Sequence, residues 1–121
     1  LGMDEKTAFR AVEAYGLGIA KRYETCGSVC AMMMLAGLKN SDGNLQKPAS
    51  KFATFELGNK MAQKFEDWNT TCCCAILRGT DGKTDRLRSC RGCVADCARI
   101  VEDVLFPGQF EPYEARHAEE E

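Results

Sequence analysis

Residues 29–38 read VCAMMMLAGL, ten positions without one charged or strongly polar side chain. The run is bounded by Ser28, a helix N-cap residue type, and by Lys39 before the turn cluster Asn40-Ser41-Asp42-Gly43-Asn44. A spanning helix needs roughly 20 apolar residues, so this segment predicts a helix buried in protein. Being apolar nearly all round, it predicts a central helix covered on every side by other elements.

Working outward, the flanking segments supply those elements. Asp4 and Thr7 are N-cap candidates for a first helix, and Ala8, Phe9, Val12, Tyr15, Ile19 and Tyr23 recur at steps of three and four. Glu5, Arg10, Glu13, Lys21 and Arg22 fall mostly off that stripe, while Gly16 and Gly18 weaken the helix. Pro48 and Ser50 prepare a third helix over about 51–68, with Phe52, Phe55, Met61, Ala62, Phe65 and Trp68 as its stripe. A short helix carrying Cys72 to Leu77 follows, then a loop over 79–83. A last helix over about 89–106 points Val94, Cys97, Val101, Val104 and Leu105 inward, and Pro107-Gly108 stops it. No strand alternation and no internal repeat occur. The expected fold is all-α, a single domain of about four helices over 1–108 with an acidic polar tail over 109–121.

Charge narrows the function classes. Sixteen basic and 18 acidic side chains leave a net charge of −2, which argues against a nucleic-acid binder. No stretch is long enough for membrane insertion, and no basic-then-apolar signal segment opens the chain, so the expected location is cytoplasmic.

Eight cysteines are the abnormal feature: Cys26, Cys30, Cys72, Cys73, Cys74, Cys90, Cys93 and Cys97. They fall in three clusters, a pattern that points to metal binding or redox work. The strongest is Cys90-Arg91-Gly92-Cys93-Val94-Ala95-Asp96-Cys97, whose steps of three and four put three sulfurs on one helical face. A CxxC pair can hold one ion or close one disulfide, and a helix N-terminus favours the thiolate. Arg86, Arg88 and Arg91 add positive charge nearby. Positions 90, 93, 97, 101 and 104 also form a core stripe, and free cysteine is a common core residue, so Cys97 reads equally well as packing.

Three adjacent cysteines at 72–74 cannot share one site, because helix neighbours point about 100° apart. Cys73, which leads toward Ile76 and Leu77, is the one expected to face inward. Cys26 and Cys30 flank a helix start, and each reads as either a reactive thiol or a small packing residue. The only histidine, His117, lies in the acidic tail, which excludes histidine-based triads and Cys2His2 zinc sites. Cys93 is followed by Val94, so there is no covalent haem motif. Met32-Met33-Met34 reads as core filling, since adjacent methionines cannot share a face.

Taken together, Gly27-Ser28-Val29-Cys30-Ala31, then Ala36-Gly37-Leu38-Lys39, the Phe65-Glu66 pair, Cys73-x-x-Ile76-Leu77, Cys90, and Val94, Asp96 and Ile100 to Leu105 resemble the C_GCAxxG_C_C family. These small domains are labelled redox-active for their cysteines, and related sequence occurs in split-Soret cytochrome c. The resemblance puts the family cysteines at Cys30, Cys73 and Cys90. It departs at Val29-Cys30-Ala31-Met32-Met33-Met34, where both family glycines are lost, and in the first helix, which lacks the family's first cysteine.

Three functions follow as expectations. The first is a cysteine-ligated iron–sulfur cluster or zinc held by Cys30, Cys73, Cys90 and Cys93, with Cys26 or Cys97 as substitutes for the last, serving electron transfer or sensing. The second is metal-free thiol/disulfide exchange or sulfur handling, with Cys90 and Cys93 as the redox pair and a redox protein as partner. The third is a helical interaction module, for which the apolar second helix suggests a homodimer.

Overall fold

The structure, a computed structural model, describes residues 2–79 and 85–109. Its helices are α1 (Glu5–Val12), α2 (Gly27–Asn40), α3 (Lys51–Asn69), α4 (Cys74–Arg78) and α5 (Cys90–Val104), with one 3-10 turn at Glu13–Tyr15. Among the described residues there is no strand; a single antiparallel bridge joins Thr25 to Cys73. The all-α expectation holds. The acidic tail from 110 onward, with His117, and loop residues 80–84 lie outside the described residues.

The segment 29–38 packs centrally through Val29, Met32 and Ala36, but it is not covered on every side: the residues between these are half-buried and Leu38 is exposed. α2, α3 and α5 pack against one another. Val29, Met32 and Ala36 of α2 meet Met61 and Phe65 of α3, Cys93, Cys97 and Ile100 of α5, and Leu77 of α4. Phe65, Met32, Met61 and Ile100 are the largest fully buried side chains. Burying each contributes about 1.5–3 kcal/mol, so these few residues carry much of the fold's stability.

Three expectations are corrected. The first helix does not run to Tyr23: α1 ends at Val12, and after the 3-10 turn the backbone becomes left-handed at Leu17, Gly18, Ile19, Ala20 and Lys21, and again at Tyr23. Each non-glycine residue there costs about 1–2 kcal/mol. Backbone bonds hold the segment, among them Ala20 N–H to Ala14 C=O at 2.8 Å and Glu24 N–H to Gly18 C=O at 3.1 Å. Gly18 shows why the chain turns: a Cβ there would lie 2.6 Å from that of Cys74, so only glycine lets residues 16–18 press onto α4.

The stripe of α3 is only partly buried. Met61 and Phe65 face the core, but Phe52, Phe55 and Trp68 are more than half exposed. Of these aromatics, Phe55 lines an open groove between α2 and α3, beside Met33 and Ala36, instead of filling it. Val94 is also exposed, because α5 turns Cys93 and Cys97 inward and Val94 lies about 100° round from Cys93.

A buried charge fixes the start of α5. Asp96 accepts from Arg88 Nε and Nη2 at 3.1 Å each, from Arg99 Nη1 at 2.9 Å and from Asn69 Nδ2 at 3.0 Å. It therefore ties the end of α3 and the segment before α5 to α5 itself. Both carboxylate oxygens are satisfied, as burial of a charge demands. No helix among the described residues is long and apolar enough to cross a membrane.

Candidate functional site: a cysteine-lined cleft

Residues 23–26 are clasped to residues 72–75 by backbone bonds: Cys26 N–H donates to Cys72 C=O at 2.7 Å, and Ala75 N–H donates to Tyr23 C=O at 3.2 Å. This clasp brings Cys26 and the cysteine triplet together from positions about 47 residues apart in sequence. Cys26 is the N-cap residue of α2. Gly27 follows it with no room for a side chain, because a Cβ there would collide with the Tyr15 carbonyl. The close approach pins the start of α2 against the 3-10 turn.

The electrostatics single out one sulfur. Cys26 is lowered from 9.0 to about 6, chiefly because the Cys93 thiol is its hydrogen-bond donor. The Ser28 and Val29 amides and the Ser28 hydroxyl lower it further, while burial opposes them. No capping bond of standard geometry closes at the Cys26 side chain, so those amides act as nearby dipoles more than as a tight cap. Its partner moves the other way: Cys93 is pushed up by the same hydrogen bond, by burial and by the neighbouring sulfurs. In this pair Cys26 carries the charge and Cys93 the proton.

Four neighbouring thiols are kept neutral around that charge. Burial, then Cys26, raises Cys97. Burial, then Glu66 and Cys26, pushes Cys72 up to about 11. Cys30 and Cys74 are raised by burial and then by Cys26. All eight cysteines are free thiols. One negative charge in a cluster of protonated thiols is what a low-dielectric sulfur site can tolerate.

Cys26, Cys74, Cys90 and Cys97 line a cleft of about 710 Å³ between α2, α5 and residues 12–18. Cys26 is 8 % exposed at its floor, and Cys93, 3 % exposed, lies behind it and does not line the cleft. A second groove of about 780 Å³ between α2 and α3 contains no cysteine, so the chemistry belongs to the first.

The four cysteines expected to ligate a metal are not gathered. Cys30 is half-buried in the first turn of α2, Cys73 lies 3.9 Å from the Tyr23 carbonyl, Cys90 is exposed at the first residue of α5, and Cys93 is buried against Cys26. Among the described residues no three His, Cys, Asp or Glu side chains are arranged to hold a metal ion. Within the triplet it is Cys74, not Cys73, that is buried, because α4 begins at Cys74 and residue 73 is still extended. Cys90 and Cys93 share the first turn of α5, but the hydrogen bond of Cys93 goes to Cys26. The sequence reading gave Cys26 no decisive role. The signal for it in the sequence is its place directly before Gly27 and the apolar helix, although Ser28 is the commoner N-cap residue type.

The family model described as "Putative redox-active protein (C_GCAxxG_C_C)" matches residues 1–104. No curated protein and no solved structure matches the chain.

Proposed function

The chain belongs to the C_GCAxxG_C_C family of redox-active proteins, and from that premise we propose that it is a thiol–disulfide exchange protein in which Cys26 attacks and Cys93 resolves. The observation that carries this reading is one pair of sulfurs at the cleft: Cys26, which lines it and is lowered by its Cys93 partner, backed by Cys93, which is buried, does not line it and is raised. Thiolate, not thiol, is the nucleophile in exchange, and the best attacking thiol has a pKa near ambient pH.

The steps balance as follows. The Cys26 thiolate attacks one sulfur of a substrate disulfide, forming a mixed disulfide and expelling the other substrate sulfur as a thiolate. That leaving thiolate takes the Cys93 proton. The Cys93 sulfur then attacks Cys26 Sγ, closing a Cys26–Cys93 disulfide and releasing the second substrate thiolate. The substrate disulfide is reduced by two electrons and the dithiol is oxidised by two; a dithiol reductant restores the starting state.

Replacing the resolving residue tests this. With Cys93→Ser, exposure to a small disulfide should leave a stable mixed disulfide on Cys26, read by peptide mass spectrometry. An adduct confined to Cys90 would overturn the assignment. Stoichiometric iron and sulfide, or zinc, in protein purified without oxygen would instead favour a cysteine-ligated metal centre.

A further inference from the structure

Resting on the exchange reading above, we propose that the cleft selects its substrate by charge, taking small disulfides with uncharged apolar or cationic substituents and rejecting anionic ones. Cys26 belongs to the core cluster and also lines the cleft, so a molecule in the cleft meets it there. Its volume of about 710 Å³ is that of a small-molecule site, not of a protein surface. The walls are apolar, with Val12, Leu35, Val94 and Val101 prominent.

Charge decides the rest. Among the described residues lining the cleft there is no lysine, arginine or histidine, whereas Glu13 and Glu102 both border it. Attack on a disulfide takes the thiolate form of Cys26, so the reacting state itself adds negative charge beside these two carboxylates. A substrate bearing carboxylates would bring like charge into a partly dry space, where repulsion is poorly screened. An apolar aromatic disulfide gains burial against the walls and meets no such repulsion.

The test uses two chromogenic aromatic disulfides, uncharged 4,4′-dithiodipyridine and dianionic 5,5′-dithiobis(2-nitrobenzoate). Rates of Cys26–Cys93 disulfide formation are measured on the reduced full chain, and the ratio of the two is divided by the same ratio for the denatured chain. The expected normalised preference for the uncharged reagent is on the order of tenfold or more, the scale of electrostatic selection at a charged cleft. Glu13→Gln with Glu102→Gln should shrink that preference, and Glu13→Lys with Glu102→Lys should reverse it. Glu13 is exposed and Glu102 half-buried, so neither substitution removes a core side chain, and the far-ultraviolet circular dichroism of each variant checks that it folds. A normalised ratio near one, or one untouched by these substitutions, overturns the selection while leaving exchange intact. Failure of both reagents to form the Cys26–Cys93 bond overturns the exchange reading and the selection with it.

Discussion

Two of the longer helices, α2 and α5, start at a cysteine, and they place it oppositely. At α2 the N-cap residue is itself a cysteine, Cys26, whose sulfur faces the first-turn amides and a donor thiol and is lowered to about 6. At α5 the N-cap is Ser89, whose hydroxyl accepts from Gly92 N–H at 2.9 Å. That bond uses the favourable position, leaving Cys90 exposed on the first helical residue and turning Cys93 into the core. The shift at Cys26 comes first from the Cys93 thiol and only then from the first-turn amides, so it depends on the packing of α5 against α2 as well as on the helix start.

The largest effect should come from removing the capping sulfur. Cys26→Ser is expected to abolish the low-pH thiolate, seen as loss of the transition near pH 6 in absorbance at 240 nm, with exchange falling to the background of the exposed Cys90. Cys90→Ser should leave that transition in place. Next in size is Asp96→Ala, which removes the buried carboxylate shared by Arg88, Arg99 and Asn69 and should destabilise the fold by about 3 kcal/mol in urea unfolding, the low end for a broken buried pair because both guanidiniums are partly exposed. Because Asp96 anchors the start of α5, the Cys93 partner should be displaced as well, raising the Cys26 midpoint.

Ser89→Cys sharpens the comparison by giving α5 the same capping residue as α2. The new thiol should titrate below an ordinary cysteine, at a stability cost near the ~1 kcal/mol typical of a lost hydroxyl cap. A smaller effect is the pH dependence of the reduced fold. Cys26 is charged in the folded state above about pH 6 but in the unfolded chain only above about 9. Its contribution is therefore complete above pH 9 and is lost as pH falls through 6. Cys72, Cys93 and Cys97 are raised, so their contribution is complete below pH 9 and is lost above it. Stability should rise from pH 6 to 9 and then fall, and Cys26→Ser should flatten the rise. Urea midpoints across that range measure both arms.

The central helix was legible because a run such as VCAMMMLAGL is too short to span a membrane and too apolar to lie on the surface, whereas the inward face of α5 was legible only in part: Cys97 and Leu105 turn inward and Val94 does not. The left-handed stretch from Leu17 to Lys21 was not legible. Ile19 and Tyr23 continue the helical spacing of Val12 and Tyr15, and only the tertiary clasp to residues 72–75 overrides it. The same clasp explains the site. Cys90 and Cys93 advertise themselves by proximity in sequence, whereas Cys26 and Cys93 meet only after α2 and α5 pack. Local spacing shows which thiols share a helix face; it does not show which pair shares a proton.

The most direct test of that pairing is the first disulfide to form as the reduced protein is equilibrated through a dithiothreitol redox series, trapped in acid and mapped by mass spectrometry. Cys26–Cys93 is the expected bond, appearing before any other. A first bond between Cys90 and Cys93 would contradict it and return the redox centre to the CxxC turn.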